Sequence, residues 1–178
     1  FGTPRSSMFV EIARPGGNTT PADAANARIY ARLVQDSLNA SMYSAQLAGL
    51  GYGIGSSSSG FSINVAGYSD KQQLLVERIL EEFVGLEIDP ERFALVKQEM
   101  LTDWRNFASE RPYTQAWTAL RVAVNSQQFA PEALASGLAA LTPATLASWR
   151  DDALSKVGVR GLLHGNVDRK RVNMLHRS

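Results

Sequence analysis

Thr20-Pro21-Ala22-Asp23 carries the firmest local instruction in the chain, the start of a helix. A threonine hydroxyl can accept a free first-turn amide, proline suits the first helical position, and an early acid matches the helix dipole. From there Ala25, Ile29 and Leu33 recur at spacings of four, as do Tyr30, Val34 and Leu38, which predicts a helix to about Asn39. Stripes of this kind need a partner surface, and the flanking segments supply one. Before the helix, Met8, Val10 and Ile12 alternate with Phe9, Glu11 and Ala13. Period two predicts a strand over Ser7 to Arg14, ended by Pro15-Gly16-Gly17-Asn18.

After the helix a second helical piece is predicted from Ser41 to Leu50, stopping at glycine. Tyr52 to Ser57 then reads as a strand, Ser58-Ser59-Gly60 as a turn, and Phe61, Ile63 and Val65 as the apolar face of a returning strand. Asp70 to about Lys156 is helical in pattern. Leu75, Ile79 and Phe83 mark one helix, and Asp89-Pro90 starts another along Phe93, Val96, Met100, Trp104 and Phe107. A third carries Trp117, Leu120 and Val124; Pro131 and Thr142-Pro143 start two more, the last with Leu146 and Trp149. All three tryptophans are expected in the core. Val157 to Val167 returns to an apolar strand before a polar closing helix. Strand, long helix, hairpin, helices, strand: one sheet packed on one side by helices buries these stripes economically.

The 178 residues suit one domain able to bury a core, and 44% hydrophobic with 20% charged residues is ordinary for a globular protein. A net charge of +1 gives no global field toward nucleic acid or an anionic membrane. Arg169, Lys170 and Arg171 read as a solvated helix face. No apolar run approaches the ~20 residues of a membrane span. The chain opens at Phe1-Gly2-Thr3-Pro4 with no charged-then-apolar leader and ends at Leu175-His176-Arg177-Ser178, and is read as a piece of something longer. The absence of cysteine removes thiol nucleophiles, thiolate metal sites and disulfides, and chooses no compartment.

No constellation carries catalytic chemistry. A zinc site of nitrogen and oxygen donors needs two or three histidines and a carboxylate. Here there are only His164 and His176, with neither H-E-x-x-H nor the inverted H-x-x-E-H. His164 is expected to be partly buried in a strand and His176 to face solvent. Ser56-Ser57-Ser58-Ser59 has no nucleophile elbow around it and suits a turn. Gly51-Tyr52-Gly53-Ile54-Gly55 superficially matches a nucleotide loop, but a strand follows where phosphate binding needs a helix N-terminus. These glycines are expected to let a strand edge approach another backbone. Glu81-Glu82 and Asp151-Asp152 point apart on their helices and read as solvated. No residue is therefore expected to be catalytic, to bind a cofactor or to ligate a metal.

Leu33-Val34-Gln35-Asp36-Ser37-Leu38-Asn39 with Tyr43-Ser44-Ala45-Gln46-Leu47-Ala48-Gly49-Leu50 resembles the third domain of insulinase/pitrilysin-type zinc metallopeptidases. So do Val65-Ala66-Gly67-Tyr68-Ser69-Asp70-Lys71-Gln72, Ile88-Asp89-Pro90-Glu91-Arg92-Phe93, Asn106-Phe107 with Arg111-Pro112, and Leu162-Leu163-His164-Gly165-Asn166. These stand in order over about residues 3 to 167. The resemblance implies an α+β, two-layer fold with a mixed or antiparallel sheet covered on one face by helices. It also implies a single non-catalytic domain over 1–178, part of a longer chain whose zinc and H-x-x-E-H lie in the first domain.

The segment from Ala24 to Asn39 would replace the metal-bearing helix, with Arg28, Arg32 and Asp36 on it. The expected partners are the other domains of the same peptidase and an unfolded peptide, held at a sheet edge for which the hairpin Gly51 to Gly67 is the candidate. A non-enzymatic scaffold subunit of the same fold is the alternative, and a bacterial member would be expected in the periplasm.

Overall fold

The computed structural model describes residues 4–166. It contains a four-stranded sheet in the order β2-β3-β1-β4, built from β1 (Arg5–Ala13), β2 (Gly51–Ser56), β3 (Gly60–Tyr68) and β4 (Gly158–Gly165). Every pairing is antiparallel. The alternation in β1 works as predicted: Met8 and Ile12 are buried while Phe9 between them is exposed. Phe61, Ile63 and Val65 of β3 extend the same inner face.

Helix α1 (Pro21–Ser41) is capped by Thr20, whose side chain accepts from the Asp23 amide. Ala25, Ile29, Tyr30, Val34 and Leu38 on it are fully buried. It packs on the sheet through β2 and against α4 (Pro90–Asn106) and α6 (Pro131–Ala139) on its other sides, so the helical layer is deepest around it. The helical piece expected over 41–50 is only α2 (Tyr43–Leu47), because Gly49 takes a positive φ of 79° and turns the chain toward β2.

Helix α3 (Gln72–Gly85) buries Leu75, Val76, Ile79 and Phe83, and α7 (Pro143–Ser155) buries Leu146. Tyr30, Phe61, Phe83 and Trp149 meet edge to face, with centroids 4.9–6.2 Å apart along the cluster. The centre of the core thus joins α1, β3, α3 and α7.

Two expectations about burial fail. Trp104 and Trp149 are half-buried, whereas Trp117 on α5 (Pro112–Val124) is 61% exposed, with Leu120 and Val124 exposed beside it. The side of α5 nearest the body is instead Thr114, Thr118 and Val122, which are half-buried. Strand β4 is also less covered than its apolar sequence suggests: all its residues are exposed except half-buried Leu163. It lies beyond the reach of the helical layer, so Val159 is 64% exposed although it pairs with buried Ile12. The predicted closing helix, Arg169-Lys170-Arg171 and His176 lie outside the described residues.

Candidate functional site

Three surfaces could carry function: the exposed side of α1, the tip of the hairpin, and the uncovered face of the sheet. On α1, Asp36 accepts a two-pronged hydrogen bond from Arg92 of α4. That bond, helped by the charges of Arg92 and Arg32, holds the Asp36 carboxyl below its ordinary range. Arg32 lies 3.9 Å from Glu99, also on α4. Arg28 faces Arg121 of α5, and burial followed by this like charge lowers its pKa. Arg32 and Asp36 therefore tie α1 to α4, while Arg28 carries an unmatched charge toward α5. Their donor set, two guanidiniums and one engaged carboxylate, does not fit a zinc ion. Among the described residues no group of three or more histidine, cysteine or acidic side chains converges.

The serine run closes the hairpin. Ser57 and Ser59 hydroxyls are 3.0 Å apart, Ser57 Oγ accepts from the Gly60 amide, and Ser59 donates to Glu11. Buried Asn18 reaches across to donate to the carbonyls of Ser57 at 2.7 Å and Gly60 at 3.0 Å. The breaker Pro15-Gly16-Gly17-Asn18 thus interlocks with the turn. His164 pairs with Ser7, at the opposite end of β1 from Ala13, where the turn begins. Six residue steps separate those ends, roughly 20 Å at the rise of a strand. The serine run and His164 therefore do not meet. His164 is exposed, not partly buried, because it shares the face of Ser7, opposite the inner face that carries Met8 and Ile12.

The uncovered sheet face is ordered in three rows. Gly51, Ala66, Ser7 and His164 form the first; Gly53, Asn64, Phe9 and Leu162 the second; Gly55, Ser62, Glu11 and Arg160 the third. All three glycines of β2 point to this side. A Cβ on Gly53 would meet Asn64 Oδ1 at 2.7 Å, and one on Gly55 would meet Ser62 Oγ at 3.3 Å. The expected close approach is real, but its partner is a pair of cross-strand side chains leaning over β2 and not another backbone. Glu11 and Arg160 pair at 3.2 Å, while Phe9 and Leu162 stand 52% and 63% exposed, side by side.

The two sheet edges differ. On β2 the Ile54 amide donates to Gln35 Oε1 of α1 at 3.1 Å, and Tyr52 donates to Asn39 at 3.4 Å. A side chain therefore already holds a main-chain donor of the hairpin edge. Among the described residues, β4 has no strand beyond it.

The comparisons with known proteins fit this arrangement. The chain is 31% identical to human insulin-degrading enzyme over 170 residues, covering 96% of the chain and 17% of that protein. It is 28% identical to the peroxisomal insulin-degrading enzyme-like 1 of Arabidopsis thaliana, covering 94% and 17%. It spans about a sixth of the length of the curated relatives it matches. The crystal structure of pitrilysin superposes with a TM-score of 0.87 at 16% identity, over 98% of this chain and 18% of that one. A structure described as a peptidase M16 inactive domain from Pseudomonas fluorescens gives 0.70 at 15%, over 98% and 44%. Residues 1–136 match the sequence profile of the middle or third domain of peptidase M16. Helix α1 is laced to α4 by charge pairs, the antiparallel sheet leaves one face bare, and the profile spans most of the chain; this is a member of the M16 peptidase family, from its middle or third domain.

Proposed function

We propose that this domain is one wall of the substrate chamber of a zinc-dependent endopeptidase, and that it takes no part in breaking the peptide bond. The observation that carries this reading is the match to insulin-degrading enzyme over 96% of the chain. Zinc and the residues that activate water would belong to another domain of a longer polypeptide. The residues on α1 here supply neither imidazole nor a free carboxylate to such an ion.

Peptide contact falls to the bare sheet face and its β4 edge, and not to the hairpin edge, where Gln35 holds the Ile54 donor. An extended chain adding to β4 would pair main chain to main chain and lay side chains on Phe9 and Leu162. The full-length protein tests this with a quenched fluorogenic peptide and a zinc assay. Zinc-dependent cleavage is expected, and Leu162→Ser should raise KM with kcat unchanged, the signature of lost uniform binding. No cleavage by the full-length protein would sink the peptidase reading.

The structural neighbour described as an inactive domain favours one alternative, a non-enzymatic scaffold subunit of the same fold. A full-length chain without any H-x-x-E-H would decide for it.

A further inference from the structure

Helix α5 turns its most apolar side away from the body. Tyr113, Trp117, Leu120 and Val124 are 69%, 61%, 50% and 74% exposed. Spacings of four, three and four put them on one line of the helix. No residue of α5 is buried, and Thr114 and Thr118 lie on the side toward the body. Single exposed apolar residues are ordinary, but a continuous stripe holding a tryptophan and a tyrosine has the composition of an interface centre. On its flank Arg121, one turn from Trp117, donates to Gln128 at 3.1 Å and lies near enough for Arg28 to feel its charge. Among the described residues neither guanidinium has a carboxylate within ion-pair distance.

The area and the chain length identify the occupant. Two aromatic side chains of ~150–250 Å² each, with a leucine and a valine, offer a few hundred square ångströms. A free-standing complex buries about 800 Å² per partner, so this stripe is too small to hold a separate molecule. A tethered domain needs less, because its effective concentration is on the order of millimolar. The chain accounts for 17% of the length of its insulin-degrading relative, which leaves ample polypeptide for such a domain.

We propose that the Tyr113–Trp117–Leu120–Val124 stripe seats another domain of the same polypeptide, one presenting an apolar ridge with a carboxylate beside it for Arg28 and Arg121. This rests on the reading of the chain as one domain of a longer peptidase.

Thiol accessibility in the full-length protein tests it. The segment has no cysteine, so Val124→Cys and, separately, Tyr113→Cys each introduce a thiol that peptide mass identifies. Both replaced side chains are mostly exposed, so folding is not at stake. Each thiol should react with a maleimide roughly an order of magnitude more slowly in the native protein than after unfolding in urea. Adding Arg121→Glu should restore fast labelling. Fast native labelling at both positions overturns the proposal. Protection that disappears on dilution also overturns it, because the occupant is then a second copy. Unchanged protection with Arg121→Glu removes the carboxylate. A full-length protein that is protected here but cleaves no peptide fails only the peptidase reading.

Discussion

Trp149 Nε1 donates a hydrogen bond of 2.9 Å to Asp23 Oδ1, joining residues 126 positions apart. The same carboxylate oxygen receives Arg14 at 3.1 Å, and the Arg14 guanidinium stacks 5.1 Å from the Trp149 ring centre. Residues from the end of β1, the start of α1 and the middle of α7 therefore share one carboxylate. Burial by itself would raise the pKa of Asp23, but the hydrogen bonds from Trp149, Thr20 and Arg14 outweigh it and hold the carboxyl below its ordinary range.

Because the folded pKa is depressed, the stabilisation is present above the unfolded value of ~3.9 and is lost as pH falls through the folded one. Asp23→Asn should therefore unfold at lower denaturant than the parent near neutral pH, with the gap narrowing below about pH 4. Urea titrations at pH 7 and pH 3 check this; a gap independent of pH would refute the assignment.

Tyr30 is fully buried, and its hydroxyl donates to the carbonyl of Phe83, near the end of α3, where helix carbonyls lack a partner of their own. Tyr30→Phe should cost about 1–3 kcal/mol, because the Phe83 carbonyl is left unpaired. Burial pushes the hydroxyl up to about 12. A raised pKa means stability that is complete below ~10 and declines as pH climbs toward the folded value. The alkaline loss of stability between those limits should shrink in Tyr30→Phe, as read by denaturant midpoints from pH 9 upward.

Gly137 sits inside α6, where alanine would ordinarily gain up to ~1 kcal/mol of helix propensity. Here a Cβ would meet three backbone atoms of the α1 start: Ala22 Cα at 2.9 Å, Ala22 N at 3.1 Å and the Pro21 carbonyl at 3.1 Å. Backbone cannot swing aside like a flexible side chain, so Gly137→Ala should destabilise by about 1–3 kcal/mol. Thermal unfolding gives the sign; a stabilised variant would mean that α6 can slide on α1.

Gln35→Ala should release the Ile54 amide. Hydrogen exchange at Ile54 should accelerate, with Ile63 opposite it on β3 unchanged in its pairing. An unaltered Ile54 rate would mean that the edge is shielded by something other than Gln35.

Much of this fold was legible. Caps such as Thr20, Asp89 and Thr142 fixed helix starts, and alternation in Met8–Ile12 and Phe61–Val65 fixed the strands, because both signals act within a few residues. The stripe of α5 read as core because periodicity reports that a face is apolar and not what covers it. Exposure of His164 was hidden for a related reason, since alternation shows which residues share a face and not which face the helices cover. The Gln35–Ile54 contact joins residues 19 apart on different elements and leaves no local pattern. On α1 the charges Arg28, Arg32 and Asp36 were visible, but their partners on α4 and α5 were set by packing.

Strand β1 lies between β3 and β4, yet β4 begins about 90 residues after β3 ends. During synthesis at ~5–20 residues per second, the hairpin and β1 can pair while the far edge of β1 waits on the order of 5–20 s for its last neighbour. Throughout that interval the amides of Ser7, Phe9 and Glu11, which later face β4, lie open beside the exposed Phe9 side chain, a template for any other nascent strand. The order in which this segment leaves the ribosome thus places its greatest risk of mispairing in the first strand of its own sheet.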